Sequence, residues 1–152
     1  MSIDARLTEL GIDLPQPASA VANYVPFVRT GNLLHISGQL SNDASGGLKG
    51  TVGVDVDQNA AVHGARLCGI NLLAQMKAAL DGDLGRVVRV VKLGGFVQAG
   101  PDFVAIPAVI NGCSDLMVEV FGDAGRHARS AVGVYRLPLG FAVEVDAVVE
   151  VR

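Results

Sequence analysis

The sequence predicts an α+β fold with its helices on one face of a single sheet. Three observations carry this: two segments keep helical periodicity long enough to pack, five segments are rich in β-branched residues, and turn residues separate them in the order β-β-α-β-α-β-β after a short leading helix. With 152 residues one domain is the default, taken over 1–152 with residues 1–20 as an N-terminal arm, and one core can be sizeable.

Composition narrows the class. Half of the residues are hydrophobic and 18% are charged, below the usual quarter or so, and mean hydropathy is positive at +0.41. That excludes a disordered chain and predicts more apolar surface than one small domain can bury, hence an oligomer. A net charge of -3 with 12 Lys and Arg gives no broad basic field for nucleic acid or an anionic membrane. No apolar run approaches the roughly 18 residues of a membrane span, and Met1-Ser-Ile-Asp-Ala-Arg6 lacks the basic-then-apolar layout of a signal peptide. Cys68 and Cys113 share no metal-ligand spacing. The expectation is a reduced, cytoplasmic enzyme or binding protein.

Taken in order, Ile3, Leu7 and Leu10 recur at helical spacing after Ser2, a candidate cap, and Gly11 can close that helix. Two prolines in Leu14-Pro-Gln-Pro-Ala-Ser-Ala20 forbid a regular element, so this stretch reads as an extended arm. Val25–Arg29 and Leu33–Ser37 flank Gly31-Asn32 and predict a β-hairpin, since both turn residues tolerate positive φ. A polar, Gly-rich loop follows over 41–50, with short β structure resuming at 50–53. Asp57 to Leu80 is helical: Ala61, Ala65, Cys68, Leu72, Gln75 and Ala79 form a small-residue stripe, Asp57 can cap it, and Asp81-Gly82 ends it.

Val87–Val97 reads as a central strand in which Gly94 and Gly95 mark a bulge or a close backbone approach. A second helix runs to about Phe121, capped by Asp102 or starting at Pro107. Ser130–Arg136 and Ala142–Val151 are the closing strands, joined through Leu137-Pro-Leu-Gly140. The uncovered face of such a sheet is expected to meet sister subunits.

Polar residues that interrupt apolar strands are the chemical candidates, because burying them is costly unless they are paired. Arg129 enters an apolar strand: it is either a surface arginine at a strand end or a planar fork for a carboxylate or phosphate. Glu144 and Asp146 share one face of the last strand, either as an ordinary polar face or as a proton-shuttling carboxylate with a raised pKa. His35, His63 and His127 form no zinc spacing, so no metal is expected. His35 shares strand parity with Ser37 and reads as a cleft residue or, preferably, a satisfied core histidine. Ser37 lacks a Gly-x-Ser-x-Gly frame, the glycine pairs match no phosphate loop, and Cys113 reads as a packed helix residue.

Three segments then carry a resemblance: Tyr24-Val-Pro-Phe-Val-Arg-Thr-Gly-Asn-Leu-Leu-His-Ile-Ser-Gly-Gln39, Val109-Ile-Asn-Gly112, and Ala128-Arg-Ser-Ala-Val-Gly-Val-Tyr-Arg-Leu-Pro138 running into Val143-Glu-Val-Asp-Ala147. Together they resemble the YjgF/RidA (Rid) superfamily, often labelled endoribonuclease L-PSP-like, over about residues 20 to 151. The resemblance implies a chorismate-mutase-like α+β subunit in a homotrimer, with three clefts between neighbouring subunits. It implies hydrolysis of reactive enamine/imine intermediates, formed from amino acids, to 2-oxo acids and ammonia, with no metal or organic cofactor.

By position, Arg129 matches the arginine that pairs with the substrate carboxylate, and Glu144 the carboxylate that positions or activates water. Tyr24, Ser37, Gly38 and Asn111 match cleft-lining positions. This chain departs from many deaminase-type members at Ala22-Asn23, where they have Gly-Pro, and at Ala131, where they have cysteine, which marks a divergent branch. The expected partner is a small carboxylate-bearing metabolite, with no membrane and no nucleic acid. A non-catalytic binding protein for 2-oxo or amino acids is the second reading, and an endoribonuclease or translation inhibitor the third.

Overall fold

The computed structural model describes residues 1–19 and 22–152. Helix α1 (Ile3–Glu9) starts where the Ser2 side chain accepts the Ala5 N–H. It is fastened to the body by Arg6, whose Nε donates to the Glu119 carbonyl at 2.7 Å, and by the Lys77–Asp4 pair at 3.0 Å. Strands β1 (Phe27–Thr30) and β2 (Leu33–Leu40) form the hairpin, turning at Gly31-Asn32 with Gly31 at φ +58°. The hairpin's second strand is longer than its sequence pattern predicts: a bulge between Ile36 and Gln39 carries it past Gly38 to Leu40.

Helix α2 (Gln58–Ala79) is capped by Asp57, which accepts the Ala60 N–H at 2.8 Å, and the chain leaves it through positive φ at Asp81 and Gly82. Strand β3 (Val87–Gln98) is followed by helix α3 (Ile106–Phe121). Asp102 does not cap that helix. The chain turns through 101–105 first, and α3 begins with Pro107 in its first turn, where the missing N–H costs nothing. Strand β4 (Ala128–Val134) begins two residues earlier than the alternation suggests, and β5 (Val143–Val151) closes the fold. The β structure expected at 50–53 is reduced to isolated bridges of Val52 with Val56 and Ala99.

The sheet order is β1-β2-β5-β3-β4, with β3 and β4 parallel and the other pairs antiparallel. Strand β5 is therefore central, and its burial alternates residue by residue. Val143, Val145, Ala147, Val149 and Val151 are buried, while Glu144, Asp146, Val148 and Glu150 are partly exposed.

Both long helices cover the buried face, α2 over β2 and β5, α3 over β3 and β4. Their close crossing relies on glycine: a Cβ on Gly112 would overlap the Val62 backbone of α2. Gly95 likewise leaves room for Ile110, so the glycine pair of β3 marks close approach, while the register shifts of that strand fall before Lys92. Leu72, Leu73, Met76, Leu93, Ile110, Leu116 and Met117 are fully buried in the layer between. Truncating one such leucine to alanine costs about 2–5 kcal/mol.

The opposite face carries no helix among the described residues. Across it run Val28, His35, Val148, Lys92 and Ala128 in one register row, and Leu40, Glu144, Phe96 and Val132 in another. His35 is exposed there and is not a core histidine, because parity sends its neighbours Leu34 and Ile36 inward instead.

Candidate functional site

The two charged residues singled out from the sequence leave the sheet in opposite directions. Arg129 pairs with Leu93 in the parallel β3–β4 register, and Leu93 is buried under the helices. The arginine therefore rises on the helix-covered side, at the β4 edge, where α3 passes over it. Its Nη1 donates to Asn111 Oδ1 at 2.8 Å and to Ser114 Oγ at 3.1 Å. Asn111 and Ser114 are three residues apart on α3 and so share a face of that helix.

The network continues beyond the arginine. Ser114 Oγ lies 2.9 Å from His127 Nε2, and His127 Nδ1 lies 2.6 Å from the Gly125 carbonyl. A carbonyl only accepts, so Nδ1 carries the hydrogen, and in the neutral ring Nε2 accepts the serine hydroxyl. Both Nη1 hydrogens of Arg129 are thereby committed. Among the described residues, Nε and Nη2 have no hydrogen-bond partner, and that edge of the guanidinium is free for a planar oxyanion.

Glu144 and Asp146 project from the other face. Each lies over a glycine of a neighbouring strand: a Cβ on Gly38 would overlap the Glu144 carboxylate, and one on Gly94 would overlap that of Asp146. Glycine is required at both positions for the carboxyl groups to lie against backbone. Partial burial raises the pKa of both groups. The Asp146 charge pushes Glu144 up further, while the Gly94 backbone N–H and Lys92 hold Asp146 back.

Ser37 and Gly38, at the β2 bulge, join Tyr24 in the lining of a cavity of about 420 Å³. Ser37 Oγ donates to the Val25 carbonyl at 2.8 Å, and its N–H to Pro26, which ties the Tyr24 segment to the strand. Arm residues Pro15, Gln16, Ala18 and Ser19 form another wall of this cavity. The arm is pinned to α2 by the buried Gln75 side chain, which donates to the Ala18 carbonyl at 2.9 Å.

Within one chain the six sequence-selected residues thus fall into two groups. Tyr24, Ser37 and Gly38 line one cavity at β2, with Glu144 of β5 against Gly38, and Arg129 joins Asn111 at β4 and α3.

Residues 4–150 match the family described as "YjgF/chorismate_mutase-like, putative endoribonuclease". The chain belongs to this family. A Trypanosoma cruzi relative, "Protein TCP17", is 50% identical over 152 residues, covering 99% of this chain and 94% of its own. The Dermatophagoides farinae "2-iminobutanoate/2-iminopropanoate deaminase" is 30% identical over 139 residues, 91% of each chain. Among solved structures, an Agrobacterium tumefaciens protein of unknown function is 51% identical and superposes with a TM-score of 0.93, over 99% of this chain and 92% of its own.

For this YjgF-family chain both cysteines are free thiols and buried. Burial pushes the Cys113 thiol up to about 12 against the opposing pull of Arg129, and burial raises Cys68 well above its ordinary value. Among the described residues, no group of three or more His, Cys, Asp or Glu could hold a metal ion, and no helix is long and apolar enough to cross a membrane. Ser114 and His127 join the site through contacts that the sequence pattern alone does not single out. The signal for Ser114 was its position one helical turn after Asn111. His127 had no comparable signal, because its link to Ser114 joins a loop to a helix.

Proposed function

We propose that this protein hydrolyses 2-imino acids to 2-oxo acids and ammonia, in clefts between the subunits of a homotrimer. The free Nε–Nη2 edge of Arg129 carries the reading, since it is the shape and charge of a carboxylate receptor. Kinship with a named 2-imino acid deaminase supports the substrate class.

The two-sided placement supports an assembly with clefts between subunits. Arg129 and Glu144 leave opposite faces of one sheet with β3 between their strands, so one molecule of ligand meets both only if neighbouring subunits supply them. The open face, with Val28 and Val132 about half exposed at 52% and 46%, is the surface such an assembly buries.

In this mechanism Arg129 holds the substrate carboxylate and fixes the adjacent C=N carbon. Tyr24, Ser37 and the Gly38 backbone line the opposite wall. Glu144 as carboxylate takes a proton from water as the water oxygen bonds to the imine carbon, and it passes that proton to the nitrogen to give the carbinolamine. It then takes the hydroxyl proton and delivers it to the amino nitrogen as the C=O bond forms and the C–N bond breaks, so ammonia leaves and Glu144 is again a carboxylate. A pKa raised by burial and by the Asp146 charge suits a group that must both take and release a proton.

The experiment is hydrolysis of 2-iminopropanoate and 2-iminobutanoate, generated in situ by an amino-acid oxidase, by wild type and Arg129→Ala side by side. Turnover by wild type and loss in the variant is the expected result. No turnover by well-folded wild type would leave a carboxylate-binding protein as the better reading.

A further inference from the structure

We infer that Ser114 and His127 are positioning residues that set the plane of the Arg129 guanidinium so that its Nε–Nη2 edge faces the ligand. The inference rests on the anion-holding role proposed for Arg129.

Strand β4 is an edge strand, so a long arginine side chain on it has β3 on one side only. One hydrogen bond to Asn111 would leave the guanidinium free to swing about that contact. Two acceptors on the two Nη1 hydrogens, Asn111 Oδ1 and Ser114 Oγ, remove that rotation and fix the plane.

A serine hydroxyl alone is a poor fixed acceptor, because it turns. Here His127 Nε2 takes its hydrogen, which leaves an Oγ lone pair for the arginine. His127 is itself held through Nδ1 by the Gly125 carbonyl. Gly125 is buried with no room for a side chain, since a Cβ there would overlap the Met117 backbone of α3. The chain of contacts runs from the packed C-terminal end of α3 to a cationic edge, and it orients without entering the reaction.

The test is calorimetric titration with 2-oxobutanoate, a product-class carboxylate, on full-length protein. It compares wild type, Ser114→Ala, Ser114→Thr, His127→Ala, Arg129→Ala and the double variant Arg129→Ala/Ser114→Ala, with turnover followed on the same samples. Losing a hydrogen bond to a charged group predicts about tenfold weaker binding for Ser114→Ala, and Ser114→Thr, which keeps the hydroxyl, recovers most of it. KM rises more than kcat falls, and His127→Ala repeats the effect in weaker form. In the Arg129→Ala background, Ser114→Ala adds nothing, which a general structural role would not produce.

Wild-type affinity in both Ser114→Ala and His127→Ala overturns the inference, as does an undiminished Ser114→Ala effect in the Arg129→Ala background. Failure of the parent reading looks different: Arg129→Ala then binds the carboxylate as wild type does, or wild type itself does not bind it.

Discussion

Arg129 and Glu144 are charges on two faces of one sheet, and they are held by contrasting means. The arginine is fixed by hydrogen bonds to side chains: Asn111 and Ser114 accept from one nitrogen, and His127 backs the serine. The glutamate is seated by the absence of a side chain, lying over Gly38 with a second carboxylate two residues away. The cation is therefore oriented, whereas the carboxylate is crowded and disposed to hold a proton. In the proposed reaction one face would supply the anion receptor and the other the proton-transfer group. A reaction that needs both would draw on two subunits, as proposed above.

The sharpest break of this contrast is Arg129→Ala. Loss of a charged, bidentate contact predicts a fall in kcat/KM on 2-imino acids of roughly 10²–10³, with the fold intact by circular dichroism. A full rate in the variant would move the anion receptor elsewhere.

Glu144→Gln tests the other pole. Removing a proton-transfer group predicts about 10² lower kcat, with carboxylate binding unchanged or tighter because a nearby negative charge has gone. Equal kcat, with only affinity altered, would favour a binding protein.

Two glycine substitutions separate packing from positioning. Gly112→Ala drives a Cβ into the Val62 backbone and predicts about 1–3 kcal/mol of lost stability in denaturant melts. Gly38→Ala meets only the movable end of Glu144, so stability changes by less than about 1 kcal/mol while turnover falls roughly tenfold. A Gly38→Ala protein with full activity would show that the glutamate does not need its seat.

The smallest effect is on pH. Glu144 and Asp146 both have pKa values raised in the fold, chiefly by burial. Groups raised on folding contribute stability that is complete below their unfolded pKa values and is lost as pH rises through the folded ones. Stability from this pair should therefore decline from the ordinary carboxylate range upward. Asp146→Asn flattens that decline in melts taken across pH, and the acid limb of the rate profile moves to lower pH as Glu144 loses its charged neighbour. An unchanged limb would mean that Asp146 is electrically silent toward Glu144.

Much of this molecule was legible in the chain. The caps Ser2 and Asp57, the Gly31 turn and the stripe through Ala65, Cys68 and Leu72 are local, and local rules decided them. The period-two placement of Glu144 and Asp146 on one face was legible for the same reason. Of the two starts the sequence offers for α3, the Pro107 start holds and the Asp102 cap does not, because proline geometry outweighs a capping side chain; His35 is exposed because strand parity outweighs the general burial of histidine. Ser37 looked like a strand end until the bulge extended the strand through Gly38 and seated Glu144 above it.

What the sequence determined alone is the set of elements, their order and the residue types able to hold a carboxylate and move a proton. The tertiary structure decided which face each of them takes. The parallel β3–β4 register turns Arg129 toward α3, and the antiparallel β5 register turns Glu144 away from it. Register and helix crossing are set by contacts distant in the chain, such as Gly112 on Val62 and Gly95 on Ile110. No local periodicity encodes them. The same holds for the Ser114–His127 link, which exists only because α3 and the loop before β4 are packed against one another.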